Sequence, residues 1–129
     1  MIIAVYFNLI CIFWEIMVKS LLIVDDQAMY LKSLELALKD KYKIFLASEL
    51  YQSLKILNDE TCEIALVDIR LDEEDSSNID GLKILEWIKM NKPQVSTFMM
   101  SAYHEFLYAE KALNLGAKHF FKSQLTSTA

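Results

Sequence analysis

Short apolar runs alternate with amphipathic stretches along most of the chain. Five such runs follow one another, at residues 21–26, 43–47, 63–69, 95–101 and 117–121. Short runs that are apolar on both faces are typical of the buried strands of a parallel sheet. Because helical patterns separate the runs, the sequence predicts an α/β fold with a doubly wound, five-stranded parallel sheet.

The stretches between these runs carry apolar residues at helical spacing. The predicted stripes are Leu31, Leu34 and Leu38, then Leu50, Leu54 and Leu57, then Leu82, Leu85 and Ile88, and finally Phe106, Ala109 and Leu113. The third helix should stop before Pro93, whose ring disfavours helix in the preceding residue. Gly116 is expected to cap the fourth helix in the left-handed conformation. Residues 70–81 have no apolar periodicity, so they predict a solvated loop.

Size and composition narrow the range of functions. A chain of 129 residues fits one domain. Its formal net charge of -5 and the lack of a basic stripe argue against a nucleic-acid surface. Cys11 and Cys62 have no Cys or His partner at metal-ligand spacing, so the sequence predicts neither a zinc site nor a disulfide framework.

Residues 1–18 form an apolar extension whose single charged residue is Glu15. The stretch is short for a membrane-spanning helix, and it lacks the basic start and cleavage site of a secretory signal. Three interpretations stay open: an upstream start codon wrongly included, with Met17 the true beginning; a membrane anchor; or a helix that fills a vacant groove on the sheet. We favour the first, because the fit to targeting signals is poor.

Polar side chains collect where the predicted strands end. Asp25 and Asp26 close the first run, Asp68 lies near the end of the third, Ser101 ends the fourth and Lys122 follows the fifth. The carboxyl ends of parallel strands meet at one edge of the sheet, so these groups should converge. A single acid at a strand end is more often a helix cap. Three carboxylates together suit a hard cation, however, and a lysine suits an anion.

Four segments that carry these residues resemble the motifs of response-regulator receiver domains: LLIVDDQ, ALVDIRL, MMSAY and GAKHFFKS. The resemblance covers residues 20–122 and implies the flavodoxin-like strand order 2-1-3-4-5. It divides the chain into the extension 1–18, a receiver domain over 19–123 and a frayed tail over 124–129. It also implies a cytoplasmic, bacterial regulatory domain, with at most self-phosphorylation and self-dephosphorylation rather than ordinary enzyme activity.

The resemblance implies a Mg2+ site. Asp26 and Asp68 would bind the ion directly, together with the backbone carbonyl of Arg70, and Asp25 would act through a coordinated water. Magnesium prefers such oxygen ligands. The cation is needed because clustered carboxylates would otherwise repel an incoming phosphate.

The resemblance also implies a phosphorylation switch. Asp68 would take the phosphoryl group from a histidine kinase or phosphotransfer protein, and Ser101 and Lys122 would bond the phosphoryl oxygens. An aromatic residue on the last strand would then move behind Ser101 and change a face that an output protein or a second copy reads. Counting from Gly116 makes this residue Phe120, whereas counting back from Lys122 makes it His119.

The chain departs from the family pattern in three places. Gly81 follows Asp68 by 13 positions, a longer and Pro-free loop. We favour a solvated insertion, because loops tolerate added length at small entropic cost; alternatively, its acids at 72–75 would raise the negative potential near the site and strengthen the demand for Mg2+. The spacing from Gly116 to Lys122 is one residue short. The C-terminal amphipathic helix is apparently missing, since only SQLTSTA follows Lys122. The last two departures support an alternative function, a truncated or degenerate receiver that acts only as a binding module. The presence of all five polar residues at the strand ends counts against it, so the phosphorylation switch stays the leading hypothesis. A Mg2+-dependent phosphohydrolase ranks last, because such enzymes commonly pair two acids around one residue on the first strand.

Overall fold

In the computed structural model, which describes residues 2–101 and 106–122, helices and strands alternate from end to end. Of residues 14–16, 106, 107 and 122 only the backbone is described. The helices are α1 (Ile2–Met17), α2 (Ala28–Leu38), α3 (Leu50–Asp59), α4 (Asp80–Asn91) and α5 (Phe106–Asn114). The strands are β1 (Lys19–Val24), β2 (Tyr42–Ala47), β3 (Ile64–Asp68), β4 (Ser96–Ser101) and β5 (His119–Lys122).

The five strands form one parallel sheet in the order β2-β1-β3-β4-β5. The sequence prediction of an α/β, doubly wound sheet with this order is therefore confirmed. β1 lies between β2 and β3, so the chain crosses over after β2 and continues outward on the other side. The predicted loss of a C-terminal helix concerns the residues after Lys122, which lie outside the described part of the chain.

Helices α3, α4 and α5 cover one face of the sheet and enclose the main core. The apolar stripes predicted for the second and third helices, now α3 and α4, contribute to this core as expected: Leu50, Leu54, Leu57, Leu82, Leu85 and Ile88. In the stripe predicted for α5, the position of Leu113 is wrong, and the side chain of Phe106 lies outside the described residues. Leu113 is 50% exposed, whereas Ala112 is fully buried, because α5 turns Ala112 and Tyr108 toward the core.

Helix α2 covers only part of the opposite face. Leu31 of α2 packs with Leu21 and Ile23 of β1, over the half of the sheet formed by β2 and β1. Further along this face the rings of Phe98 and Phe121 stack with their centroids 6.2 Å apart. Phe121 is 46% exposed, so within the described residues the β4 and β5 part of this face keeps apolar surface in contact with solvent.

Helix α1 stands apart from both cores. All of its side chains from Ile2 to Phe13 are exposed, and Ile3 reaches 84%. In the described part of the chain no helix is both long and apolar enough to cross a membrane. One residue, Val18, separates α1 from β1.

The ends of the helices discussed above lie where the sequence predicts them, and the end of β1 is the one difference. Helix α4 ends at Asn91, before Pro93, and Gly116 has a φ of 100°. β1 ends at Val24 rather than at Asp26. The reason is that the Gln27 amide donates to Asp25 Oδ1 at 2.9 Å, which turns the chain out of the strand and into α2.

Candidate functional site

Three carboxylates converge at the carboxyl end of the sheet. One oxygen each from Asp25, Asp26 and Asp68 lies within 4.8 Å of the others. The sheet register produces this convergence, because Val24 of β1 pairs with Val67 of β3 and the next residue in each segment is an acid, Asp25 or Asp68. The sequence prediction that these acids meet at one edge is confirmed in position.

The surroundings of Asp68 make its negative charge costly. Burial, and after it the nearby charges of Asp25 and Asp26, together raise the pKa of Asp68 to about 8. Hydrogen bonds from the backbone amides of Arg70 and Ile69 lower it in part. Without a cation, the carboxyl group of Asp68 therefore holds its proton near neutral pH.

Asp25 is affected in the same way but less strongly. Burial raises its pKa to about 6, against the lowering effect of the hydrogen bond from the Gln27 amide. The charges of Asp26 and Glu73 add to the increase. Two raised carboxyl pKa values side by side mark a place where positive charge would be strongly favoured.

Asp26 divides its two oxygens between different surroundings. Oδ2 accepts a hydrogen bond from the Glu73 amide at 3.2 Å. Oδ1 is buried and has no hydrogen-bond partner among the described residues. A buried carboxylate oxygen without a donor is costly, and it fits a hard cation as a direct ligand. The three acids thus have the donor chemistry that a Mg2+ ion requires.

Gly81 allows α4 to approach the site closely. Its amide donates to the Ile69 carbonyl at 2.9 Å. A Cβ atom placed on Gly81 would lie 2.0 Å from the Asp68 carbonyl oxygen and 2.6 Å from Ile69 Cα. The glycine is therefore required by contact with the backbone of the candidate phosphoacceptor. In the sequence, Gly81 is predicted only as the end of the loop. The Asp-Gly pair at the start of α4 was the sequence signal that could have indicated this close contact.

Ser101 and Lys122 end neighbouring strands at the same level. They are register partners between β4 and β5, and Met100 is the partner of Asp68 between β4 and β3. Ser101 is only 2% exposed. The backbone therefore places both residues at the edge where the carboxylates lie, while the side chain of Lys122 lies outside the described part.

Phe120 and His119 point to opposite faces of β5, as successive strand residues do. Phe120 is partly buried and packs on the core beneath α4 and α5. His119 is exposed and its ring lies 4.5 Å from the ring of Phe121. Phe120 pairs with Met99, which lies two residues before Ser101 on β4 and therefore faces the same side of the sheet as Ser101. The choice of Phe120 over His119 as the switch aromatic stays a prediction.

The loop after β3 contributes more than the sequence analysis expected. The Arg70 side chain donates to the Ser76 carbonyl at 3.3 Å. Glu73 reaches back to the end of β1, where its carboxylate accepts a hydrogen bond from Gln27 Nε2. Gln27 gave no signal in the sequence, and Glu73 was visible only as one acid among several. The role of the Arg70 carbonyl as a metal ligand stays a prediction.

Comparison with known proteins agrees with this geometry. The family model of the response regulator receiver domain matches residues 21–127. The chain therefore belongs to the receiver-domain family of bacterial two-component response regulators. A receiver domain is a regulatory domain rather than a classical enzyme.

The similar proteins include both short and long regulators. Sporulation initiation phosphotransferase F of Bacillus subtilis is 30% identical over 106 residues, covering 81% of this chain and 82% of that protein. A putative NtrX-like response regulator of Rickettsia felis is 32% identical over 104 residues, which are 80% of this chain and 21% of that protein. The chain thus spans about a fifth of the longer relatives that it matches.

Solved structures show the same fold. The crystal structure of a CheY-like receiver domain protein from Methanospirillum hungatei superposes with a TM-score of 0.75 at 26% identity. The match covers 84% of this chain and 83% of that one. The sheet and helices α2 to α5 therefore have the fold of a receiver domain.

Proposed function

We propose that this chain is a phosphoacceptor switch in which Asp68 receives a phosphoryl group from a histidine kinase or phosphotransfer protein. The observation that carries the proposal is the cluster of Asp25, Asp26 and Asp68, whose oxygens lie within 4.8 Å of one another at the carboxyl end of the sheet. Family membership supports the same role, since a receiver domain implies a phosphoryl donor. A cytoplasmic location and an output partner are parts of this proposal.

Asp68 acts as the nucleophile. One carboxylate oxygen attacks the phosphorus atom in line, the new oxygen–phosphorus bond forms, and the bond to the donor nitrogen breaks, leaving the histidine of the donor free. The nucleophile must be deprotonated, whereas the raised pKa of Asp68 favours its acid form when no cation is bound. Deprotonation is therefore the step that the surroundings of Asp68 must assist.

Asp25, Asp26 and Asp68 would hold Mg2+, with the Arg70 carbonyl as a further ligand. The bound ion would supply positive charge that offsets repulsion between these acids and an incoming phosphoryl group. Asp26 Oδ1 is the oxygen best prepared for this contact, since it is buried without a donor among the described residues. The Ser101 hydroxyl and the Lys122 ammonium group would bond the transferred phosphoryl oxygens.

Phosphorylation would then shift the population of two conformations. The group adds about -1.5 to -2 charges and three acceptor oxygens at one point, which draws Ser101 toward Asp68. Phe120 would follow into the space behind Ser101 and change the surface formed by α5 and β5. A coupling free energy of about 1–3 kcal/mol is enough to change the affinity for an output partner or a second copy five- to 150-fold.

The test is intact-mass spectrometry after incubation with acetyl phosphate, with and without Mg2+. Wild-type protein should gain one phosphoryl group only with Mg2+, and Asp68→Asn should gain none. Asp72→Asn is the matched control, because Asp72 lies exposed in the same loop and outside the carboxylate cluster; it should gain the group as the wild type does. No gain in folded wild-type protein would overturn the proposal and favour a degenerate receiver that acts as a binding module.

A further inference from the structure

The loop between β3 and α4, residues 70–79 and here called the acidic loop, has a defined fold of its own. Asn78 Oδ1 accepts hydrogen bonds from the amides of Leu71 and Asp80, each at 3.0 Å. Within the loop, Asp75 Oδ1 accepts from the Ser77 amide at 2.9 Å. Hydrogen bonds from side chains of the acidic loop to its own backbone therefore tie its two ends together and order its middle.

The middle of the acidic loop touches the end of β1 through one residue. The Glu73 amide donates to Asp26 Oδ2 at 3.2 Å. The Glu73 carboxylate accepts a hydrogen bond from Gln27 Nε2. Residues 26 and 27 of the chain are thus held by the backbone and the side chain of the same glutamate. We call the side-chain contact between Glu73 and Gln27 the clasp.

These two contacts of Glu73 determine the orientation of the Asp26 carboxylate. With Oδ2 bonded to the loop amide, rotation of the Asp26 carboxylate is restricted and Oδ1 stays buried beside Asp25 and Asp68. Partners that orient a metal ligand in this way commonly contribute to metal affinity as well. The clasp is what keeps the Glu73 amide within reach of Asp26.

We propose that Glu73 is a positioning residue for the cation site, acting through its clasp with Gln27 to hold the acidic loop against Asp26. The inference rests on the proposed function, because it concerns the same Mg2+ site. It assigns a purpose to the longer loop of this chain: the additional residues bring a backbone amide to Asp26. Negative charge alone does not explain the arrangement, since Glu74 is adjacent and exposed but has no hydrogen bond to β1 within the described residues.

The experiment measures Mg2+ binding to the unphosphorylated full chain by isothermal titration calorimetry. Glu73→Ala and Gln27→Ala should each raise the dissociation constant about three- to tenfold, as expected for one lost hydrogen bond. The double variant should be no weaker than either single variant, because both remove the same contact. Glu73→Gln keeps an acceptor for Gln27 and should retain most of the affinity. Glu74→Ala, the matched control, should stay within about twofold of wild type.

A second measurement needs no metal. Hydrogen exchange of the Glu73 amide should be slow in wild-type protein and in Glu73→Gln, and faster in Gln27→Ala, at an unchanged melting temperature. Exchange of this amide that is equally fast in wild type, Glu73→Gln, Gln27→Ala and Glu74→Ala would contradict the proposed role of the clasp.

The outcomes separate the two proposals. If wild-type protein binds no Mg2+ and takes no phosphoryl group, the proposed function fails. If wild type does both and Glu73→Ala binds Mg2+ as well as wild type, only the positioning role fails. Equal weakening by Glu73→Gln and Glu73→Ala, relieved by high salt, would replace positioning with a purely electrostatic effect.

Discussion

At the scale of single residues, the site is a concentration of like charge held together by the sheet. Asp68 is half-buried beside Asp25 and Asp26, and burial is the first cause of its raised pKa of about 8. The ordinary value for this group is 3.8. Between these two values the folded chain holds a proton that the unfolded chain releases. The free energy of unfolding must therefore fall as the pH rises across this window in protein without metal.

We expect Asp68→Asn to be more stable than wild type at pH 8 in the presence of a chelator, on the order of 1–3 kcal/mol. The amide removes the charge that wild type must either bury or neutralise. At pH 4, where Asp68 is protonated, the two proteins should differ little. Urea denaturation at both pH values measures the difference.

The control for this comparison is Asp75→Asn. Hydrogen bonds from Ser77 lower the pKa of Asp75, which is exposed, so its substitution should give no gain at pH 8. If the free energy of unfolding changed with pH in the same way in wild type and in Asp68→Asn, Asp68 would not be the group with the raised pKa.

The candidate acids could be predicted from sequence because each one follows a short apolar run. Strand-end position is a local signal, and parallel pairing brings such positions together. Glu73 and Gln27 could not be found in this way. Their contact joins positions 46 apart, and nothing local distinguishes Glu73 from Glu74. Only the path of the acidic loop decides which glutamate reaches β1.

At the scale of elements, the close approach of α4 to β3 fixes the geometry of the site. Gly81 lies against the backbone of Asp68 and Ile69 with no room for a side chain. The other glycine, Gly116, has open space around it and is needed for its φ of 100° instead. The two glycines of the chain thus serve different physical purposes, one steric and one conformational.

Gly81→Ala is expected to destabilise the fold by about 1–3 kcal/mol, because α4 must move away from β3 to accommodate the added methyl group. Since that movement displaces the backbone of Asp68, phosphoryl uptake from acetyl phosphate should slow as well. Gly116→Ala should cost about 1–2 kcal/mol through its left-handed conformation, with the rate of uptake unchanged. Urea denaturation and timed intact-mass spectra report the two effects.

Equal rates of phosphoryl uptake in wild type and Gly81→Ala, at equal concentrations of folded protein, would show that Asp68 tolerates a shifted α4.

The helices and strands themselves were predictable from the sequence to within a few residues. The error at Leu113 has a physical origin, since α5 is short and buries a small residue, Ala112, which carries little weight in an apolar pattern.

At the scale of the whole molecule, two areas of the described chain are prominent for their exposed apolar side chains. Helix α1 exposes every side chain from Ile2 to Phe13, and the β4 and β5 part of one sheet face exposes Phe121. A helix that is apolar all round is unusual in contact with water. The origin and role of residues 1–18 stay open among the three interpretations drawn from the sequence.

Removal of residues 1–16, which leaves Met17 as the first residue, is expected to change the melting temperature by no more than about 2 °C. The exposed side chains of α1 contribute little to either core, and the shorter protein should aggregate less because it loses apolar surface. Differential scanning calorimetry and light scattering on both proteins test this. A fall of several degrees would instead indicate that α1 covers the sheet.

The three carboxylates come from the ends of two separate strands, and this affects the order in which the site can form during folding. Asp25 and Asp68 are joined through β2 and two helices, so they meet only when that long crossover has closed and β3 has docked beside β1. No shorter stretch of the chain contains the cluster. A cation that binds all three acids would therefore bind only molecules in which β3 has docked beside β1, and it would draw the folding equilibrium toward them by mass action. Cation binding would then report that this half of the sheet has assembled.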